Sequence, residues 1–396
     1  MREGLRLLDA DRHVLEPIEM WREYLPAEYR QSAPYYGSLA PEETLEQRVA
    51  RLGPKGLLPL VPMLMLDGQP AMARLTERAL VEMAWGFAQR QITAEVGATP
   101  AQHLRSMEQM GLDMAFFYPT SASFLLRIDG MDPGRAAAFA SAYNDWLRDF
   151  CRAAPERLRG VGALSLHDPV RMLAELERVA GFGWRVVVLP PNPVGGRTLA
   201  HPDYEPFWSA CEHLGVAVSL HEGTHARLPT AGAERFTTRF ALNASSHPLE
   251  QMLALLTLID GGVLERHPGL RVAFLEAGCG WVPYWLWRMD ATWPHMAGEV
   301  AENVRMKPSE YFRRQCFVTI EPEEPGLAQT VQLLGADNLM FGTDYPHADH
   351  GDDIVDHVMK LRGGLSDEVL RKLLWDNPAR FYGLSDGPEA ISRPSR

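Results

Sequence analysis

The stretch DPVRMLAELERVAGFGWRVVVLPP (residues 168–191) combines one amphipathic segment with one short apolar run. Its first sixteen residues have helical apolar spacing and end at a glycine, as helices commonly do. The run WRVVVLPP (184–191) that follows has the composition of a buried strand. A helix that leads directly into a buried strand is the repeating unit of a parallel sheet, so this stretch indicates an α/β fold.

Seven more apolar runs repeat this alternation along the chain. They lie at residues 7–11, 113–119, 160–166, 216–222, 270–278, 316–321 and 338–346. Eight short runs with helical crossovers predict a (β/α)8 TIM-type barrel, and a doubly wound sheet is the alternative.

Two segments are left over by this count. Residues 18–100 are too long for one crossover, so we expect a long, lid-like insertion after strand 1 that covers the top of the barrel. Beyond strand 8, the pattern predicts a C-terminal helical extension and then a disordered tail over 385–396. We therefore expect a single barrel domain over 1–384.

The predicted lid is rich in large apolar side chains. It contains LLPLVPMLML (57–66), Met72, Met83, Trp85 and Phe87. These side chains either form a small core for the insertion itself or line a pocket for a bulky apolar substrate. The sequence favours the first interpretation.

Composition and charge limit the classes of partner. The chain has 396 residues, 39 basic and 51 acidic side chains and a net charge of −12, which argues against nucleic acid or an anionic membrane and favours a small-molecule partner. The stretch 57–66 is far shorter than the roughly 20 residues that span a bilayer. Four widely spaced cysteines and an amino-terminal stretch without an apolar signal region predict a cytoplasmic protein.

Ionisable residues follow the ends of four predicted strands, where the active sites of such barrels lie. These residues are Asp11, His13 and Glu16 after strand 1, His221 at strand 5, Glu276 at strand 6, and Asp344 and His347 at strand 8. Residues two apart on a strand point to the same face, so Asp11 and His13 can bind one cation. Several carboxylates in one barrel mouth would repel each other strongly without a metal ion between them.

Some candidates have two possible roles. Glu16 and His347 are either metal ligands or partners that orient the ligands. His247, at the start of the helix after strand 5, is either a ligand or a helix cap. For contacts with substrate, the sequence offers His347, Trp281, Asn192 and Arg12, although salt bridges or capping are the usual roles of the last two.

The chain resembles the amidohydrolase superfamily, in particular its decarboxylase-like branch. The resemblance rests on DADRHVLEP (9–17), HEG (221–223), HPGLRVAFLEAGCGWVPYWLWRMD (267–290), FGTDYPH (341–347) and DNPARFYGL (376–384). It implies a divalent metal held by Asp11, His13, His221 and Asp344, with Asp344 also handling protons. In the family, a histidine commonly stands where this chain has Glu276.

This extra carboxylate leads to an expectation of two metal ions. Glu276 would bridge to a second ion, helped by Glu16 and His247, and such oxygen-rich sites suit iron or manganese. The resemblance includes a branch with dinuclear iron or iron/manganese centres that activate O₂. The favoured hypothesis is therefore a monooxygenase that hydroxylates a bulky apolar molecule, with Asp344, Glu276 and His247 as catalytic residues.

Three other functions are also compatible with the sequence. The same scaffold also supports a hydrolase of amide, ester or lactone bonds, which could use zinc, and a non-oxidative decarboxylase of an aromatic acid. A third hypothesis is a barrel that has lost its activity and serves as a partner subunit. Relatives also suggest a homodimer.

Overall fold

The computed structural model describes residues 2–38, 43–58, 62–74, 76–89, 97–221, 223, 225–347, 351 and 353–384. Eight parallel strands form a barrel, which confirms the predicted fold. They are β1 (Leu8–His13), β2 (Met114–Tyr118), β3 (Leu158–Gly160 and Gly162–Ala163), β4 (Val186–Leu189), β5 (Ala217–His221), β6 (Val272–Leu275), β7 (Cys316–Ile320) and β8 (Leu339–Phe341). All eight lie within or beside the predicted runs.

The order of the strands in the sheet follows the chain, and backbone hydrogen bonds close the circle between β8 and β1. The Asp344 N–H donates to the Asp11 carbonyl at 2.8 Å, and the His13 N–H donates to the Tyr345 carbonyl at 2.8 Å. A Cβ at Gly342 would lie 2.5 Å from the Cβ of Asp11, so this close approach requires glycine. Closure excludes the open, doubly wound alternative.

Helices surround the barrel and bury one apolar face each. In the helix Pro169–Gly181, Asp168 caps the amino end while Met172, Leu176 and Val179 pack inward. The other helices outside the lid region are Pro100–Met110, Ser121–Leu126, Pro133–Cys151, Glu205–Leu214, Arg239–Asp260, Val263–Arg266, Trp281–Met296, Pro308–Gln315, Leu327–Leu334 and Ile354–Lys360. None of the helices in the described ranges is long and apolar enough to cross a membrane.

The segment between β1 and the helix Pro100–Met110 has its own secondary structure. It contains the helices Glu19–Tyr24, Leu45–Leu52 and Glu77–Gln89, the 3-10 turns Ala27–Ser32 and Gly53–Leu57, and an antiparallel sheet of Tyr35–Gly37, Met63–Leu66 and Gln69–Pro70. Met63, Met65 and Leu80 form a small core against which Met72 packs. For Met72, this supports the interpretation that the insertion has a core of its own.

This segment contacts loops at the carboxyl end of the barrel. The Ala73 N–H donates to the His225 carbonyl at 2.6 Å, and Arg74 donates to the Ala233 carbonyl at 2.8 Å. A lid-like role for 18–100 in a single domain over 1–384 is our proposal from these contacts. The predicted disordered tail, 385–396, lies outside the described residues.

The carboxyl-terminal extension packs against the barrel. It consists of Asp367–Arg371, the π-helical turn Lys372–Asp376 and Asn377–Phe381. Next to the last helix, the Tyr382 hydroxyl donates to the Ala10 carbonyl at 2.6 Å, and its ring stacks on Phe116 at 3.4 Å. The extension therefore contacts the strand that carries Asp11.

Candidate metal centre

Four strand ends bring two histidines and three carboxylates into one buried cluster. His13 Nε2 lies 3.5 Å from Asp11 Oδ1, 3.3 Å from Asp344 Oδ1 and 3.0 Å from His221 Nε2. His221 Nε2 in turn lies 3.0 Å from Glu276 Oε2. The β strands thus bring together residues that are more than 300 positions apart in the sequence.

These spacings match the edges of a metal coordination shell. Metal–ligand distances of about 2.1 Å place neighbouring ligand atoms roughly 3.0–3.4 Å apart in octahedral or tetrahedral geometry. Asp11, His13 and His221 offer ligand atoms within 4.8 Å of one another, and so do His13, Asp344 and His347. His13, common to both groups, lies at the centre of the cluster.

Two further observations fit a bound cation. The Nδ1 of His13 lies 3.1 Å from the Pro119 carbonyl, which fixes its N–H on that side and leaves the Nε2 lone pair facing the cluster. The Oδ1 atom of Asp11 is buried without a hydrogen-bond donor among the described residues. A buried carboxylate oxygen without a donor is costly unless a cation binds it.

The shifted pKa values of the cluster residues also fit a bound cation. Burial, together with the charges of Asp344 and Glu276, raises the pKa of Asp11 well above its ordinary value. Burial alone lowers the pKa of His221, but the Glu276 and Asp11 carboxylates raise it to about 9. Burial lowers the pKa of His13 well below its ordinary value, so this imidazole is neutral and able to bind a metal. A divalent ion would offset the crowded negative charge.

Both carboxylates that follow β6 and β8 have a left-handed backbone. The φ angle is 57° at Glu276 and 51° at Asp344, a conformation that costs non-glycine residues about 1–3 kcal/mol. Hydrogen bonds hold both positions, since Thr319 Oγ1 accepts from the Glu276 N–H at 3.0 Å and Asp11 accepts from the Asp344 N–H at 2.8 Å. The fold therefore sustains a strained backbone that turns both carboxylates toward the cluster.

Two more histidines flank the cluster. His347 Nδ1 lies 2.8 Å from Asp344 Oδ1, and its Nε2 lies 2.9 Å from Thr120 Oγ1. The centroid of its ring lies 4.1 Å from that of His13, with the two rings tilted by 32°. On the other side, His247 Nε2 lies 3.8 Å from Glu276 Oε2. His347 thus belongs to a group of possible metal ligands, and His247 lies beside Glu276.

A cavity of ≈ 480 Å³ opens beside the cluster and can hold a small molecule. Its lining includes Asn243, His247, Glu276, Glu321, Glu324 and Asp344. Both Glu276 and Asp344 are therefore accessible to a bound molecule.

The structure places Glu16 in another role than the predicted metal ligand. Its carboxylate accepts hydrogen bonds from the backbone N–H groups of Thr120 at 3.1 Å, Ser121 at 2.8 Å and Ala122 at 3.2 Å. These N–H groups start the helix Ser121–Leu126, so both oxygens of Glu16 are already occupied. We correct the ligand assignment of Glu16 to that of a helix cap.

Changing Glu16 to alanine is expected to lower the free energy of unfolding by about 2–4 kcal/mol, because one buried and two partly buried N–H groups lose their acceptor. The metal content per chain should stay unchanged. Thermal melting and elemental analysis measure the two effects, and Glu19→Ala, at an exposed position nearby, is the control. Loss of metal from a folded Glu16→Ala protein would show that Glu16 is a ligand after all.

Arg12 also has a structural role that contradicts its predicted contact with substrate. It is fully buried, and its guanidinium binds Asp9 Oδ2 at 3.2 Å, His103 Nδ1 at 3.1 Å and the Ser106 hydroxyl. It also lies over the Tyr345 ring at 4.2 Å. As the residue between Asp11 and His13 on the strand, it points to the opposite side.

Trp281 and Asn192, the other predicted substrate contacts, use their polar groups locally. Trp281 Nε1 donates to the Gly278 carbonyl at 2.9 Å, and Asn192 Nδ2 donates to the Pro229 carbonyl at 3.1 Å. Neither is among the described residues that line the cavity. Their predicted roles in substrate binding have no contact to support them.

Sequence reasoning missed Arg127. Its Nη2 donates to the His221 carbonyl at 2.7 Å, which fixes the end of β5. A Cβ at Gly223 would lie 2.4 Å from Arg127 Nη1, so glycine at this position makes room for the guanidinium. In the sequence, Gly223 of the HEG motif was the signal that another side chain, here that of Arg127, packs against this position.

Comparisons with known proteins fit this geometry. The model of the family described as Amidohydrolase matches residues 94–384. A 2-amino-3-carboxymuconate-6-semialdehyde decarboxylase from Dictyostelium discoideum is 27% identical over 253 residues, which cover 64% of this chain and 68% of that protein. A gamma-resorcylate decarboxylase from Rhodococcus jostii (strain RHA1) is 30% identical over 234 residues, or 54% of this chain and 67% of that protein.

A solved structure is similar over nearly the whole chain. It is a variant of 5-carboxyvanillate decarboxylase from Novosphingobium aromaticivorans DSM 12444 with bound manganese and 3-methoxy-4-hydroxy-5-nitrobenzoic acid. Its TM-score is 0.67 at 20% identity, and the match covers 97% of this chain and 98% of that chain. At this identity the likeness shows the shared fold.

The comparisons contradict the expected iron or iron/manganese monooxygenase, because both curated relatives are named decarboxylases. The oxidoreductase assignment is wrong, and O₂ as a cosubstrate has no support. The hypothesis counted Glu16 and Glu276 as ligands of a second ion. In the structure, Glu16 caps a helix and Glu276 pairs with His221.

Proposed function

Because this chain belongs to the amidohydrolase family, we propose that it is a metal-dependent, non-oxidative decarboxylase of a small unsaturated or aromatic carboxylic acid. The observation that carries the proposal is the match to two curated relatives that are both named decarboxylases. The geometry adds a ligand set for a divalent ion and a carboxylate, Asp344, that borders a cavity large enough for such an acid.

In this proposal, Asp11, His13, His221 and Asp344 hold one divalent ion. Manganese is the first candidate, since it is bound in the related 5-carboxyvanillate decarboxylase structure. When bound, the ion acts as a Lewis acid that attracts the oxygens of the substrate and offsets its charge. The protein residues then have to orient the acid, exclude water and deliver one proton.

Asp344 is the proposed proton donor. It transfers a proton to the ring carbon that bears the carboxylate; the carbon–carbon bond then breaks, its electron pair restores the ring, and CO₂ leaves. The balance is one acid anion and one proton giving one CO₂ and one arene. Because His347 Nδ1 lies 2.8 Å from Asp344 Oδ1 and its side chain is 23% exposed, His347 can return a proton from solvent.

Glu276 has a supporting role in this proposal. Its carboxylate lies 3.0 Å from His221 Nε2 and 3.8 Å from His247 Nε2. The Glu276 carboxylate can therefore fix the position of His221. It also puts a negative charge beside the cavity, and this charge keeps a proton near the substrate.

The direct test is anaerobic assay of the manganese-loaded protein with a panel of acids, including 2,6-dihydroxybenzoate and 5-carboxyvanillate. We expect one CO₂ for each acid consumed, without O₂. A parallel panel of amides, esters and lactones provides the hydrolase comparison. Hydrolysis of any of these in the absence of CO₂ release from every acid would overturn the proposal in favour of a hydrolase.

Removing the metal with a chelator is expected to lower Tm by roughly 5 °C. An ion at 100–1,000 times its Kd stabilises the folded state by about 3–4 kcal/mol, and the buried carboxylates would repel each other without it. Thermal melting before chelation, after it and after manganese is added back measures the effect. An unchanged Tm, with no metal bound on reloading, would rule out the metal centre.

The homodimer and the cytoplasmic location stay predictions from the sequence. Light scattering on the purified protein would give its mass in solution.

A further inference from the structure

Gln251 is a buried glutamine that binds two strands of the barrel at once. It lies in the helix Arg239–Asp260, and its Nε2 atom donates to the Leu220 carbonyl at 2.9 Å and to the Leu275 carbonyl at 3.0 Å. An amide nitrogen has two hydrogens, so this pair of bonds uses both of them. One side chain therefore links the end of β5 to the end of β6.

Each of these carbonyls belongs to the peptide group that precedes a residue of the cluster. The Leu220 carbonyl shares its peptide group with the N–H of His221, and the Leu275 carbonyl shares its peptide group with the N–H of Glu276. In the pairing of the two strands, His221 and Leu275 are the last partners. Gln251 thus acts where each strand leaves the sheet and presents a side chain to the cluster.

The peptide group before Glu276 is held at both ends. Gln251 binds its carbonyl, and Thr319 Oγ1 accepts from its N–H at 3.0 Å. Rotation of this peptide group would change the φ angle of Glu276, which is 57° and lies in the strained left-handed region. The two side chains therefore fix the direction of the Glu276 carboxylate, which lies 3.0 Å from His221 Nε2.

His221 is also held between two side chains. Gln251 binds the carbonyl before it, and Arg127 Nη2 donates to its own carbonyl at 2.7 Å. The same amide anchors the helix to both strands, and His247, one turn before Gln251 on that helix, lines the cavity. The relative positions of His221, Glu276 and His247 therefore depend on one amide group.

Resting on the proposed function, which places a divalent ion at the cluster, we propose that Gln251 is a positioning residue for that ion. It is not a ligand itself; it sets the distance between His221 and Glu276 and thereby the geometry in which the ion is bound. Groups that orient ligands from outside the coordination shell typically account for about 10–100-fold in metal affinity or activity.

The test measures Mn²⁺ binding to the metal-free protein by calorimetry, without any substrate. Gln251→Met keeps nearly the volume of the side chain but has no N–H to donate, and we expect it to weaken Mn²⁺ binding by about 10–100-fold. The visible absorption spectrum of the Co²⁺-loaded variant should also differ from that of the wild type, because the Co²⁺ bands depend on the number and arrangement of the ligands.

Gln315→Met is the matched control. Gln315 is also buried, and its Nε2 donates to the His267 carbonyl at 2.9 Å, just before the start of β7 at the end of the barrel away from the cluster. Both substitutions leave buried carbonyls without a donor, so both should lower the Tm of the metal-free protein. Only the control should keep the wild-type Co²⁺ spectrum and a Mn²⁺ affinity within about twofold of the wild type.

A milder variant, Gln251→Asn, decides the case if Gln251→Met does not fold. It keeps the amide but is one methylene shorter, so it cannot reach both carbonyls. We expect it to bind Mn²⁺ more weakly than Gln315→Met and to change the Co²⁺ spectrum in the same direction as Gln251→Met.

The proposal would be overturned if the variants of Gln251 bound Mn²⁺ as tightly as Gln315→Met, or if their Co²⁺ spectra equalled that of the wild type. A wild type that bound no divalent ion would overturn this proposal and the proposed function together. Failure of the proposed function alone looks different. In that case the variants of Gln251 lose Mn²⁺ affinity as expected, but no acid in the panel releases CO₂.

Discussion

Replacing Asp344 with asparagine is expected to lower kcat by about 10³–10⁴-fold, the largest loss from a single substitution in this chain. The amide has nearly the same shape but cannot release a proton to the ring carbon, and proton transfer by a positioned group contributes about 10²–10⁴-fold. The amide is also a weaker metal ligand than a carboxylate, which adds to the loss. The strained backbone at Asp344 is no worse for asparagine, which tolerates the left-handed region.

Steady-state CO₂ release and manganese content together measure this effect. Asp367→Asn, at an exposed carboxylate that binds Arg362, is the matched control and should keep full activity. A variant of Asp344 that keeps its metal and retains more than a tenth of the wild-type kcat would show that another group donates the proton.

Changing Glu276 to glutamine is expected to lower kcat by about 10²–10³-fold while one ion per chain is retained. Glutamine keeps the size of the side chain but removes the charge that pairs with His221 and faces the cavity. The ligands Asp11, His13 and Asp344 remain in place, so the ion should still bind. The loss should therefore appear in kcat more than in metal affinity.

Manganese titration followed by elemental analysis separates this role from a bridging one. We expect one ion per chain in both the wild type and Glu276→Gln. Two ions in the wild type and one in the variant would instead assign Glu276 to a second metal position. Glu323→Gln, on the cavity wall away from the cluster, is the control for a general change of charge.

The fold was predictable because each strand carries its own local signal. Runs such as Val186–Leu189 are short, β-branched and followed by proline, and these features identify a buried parallel strand without tertiary information. The interruption of β3 at Val161 and the closure next to Gly342 depend on packing between distant segments. Periodicity contains no information about such contacts.

The site was predictable in part for the same reason. Alternation along a strand indicates that Asp11 and His13 share a face, and the structure brings them within 3.5 Å. The same rule indicates that Arg12 points away, so the predicted substrate contact was inconsistent with it. The partners of Glu16 are backbone N–H groups more than 100 residues away. Because every residue except proline has a backbone N–H group, the sequence does not identify these partners.

The hypothesis of an oxygen-activating pair of ions was wrong, and the two carboxylates assigned to the second ion, Glu16 and Glu276, have other partners in the structure. An acidic residue near a strand end is evidence for a metal ligand only while its oxygens have no other donor. Glu16 caps a helix, which removes one carboxylate from the expected ligand set.

The contact between Tyr382 and Ala10 has a consequence for how the protein is made. A ribosome releases the amino-terminal segment first, so the strand with Asp11 leaves the exit tunnel long before Tyr382 has been synthesised. Until then, Ala10 lacks the hydroxyl that binds its carbonyl, and the circle of strands is incomplete at β8. We therefore expect that the proposed metal centre cannot form on the nascent polypeptide before β8 and Tyr382 have left the ribosome.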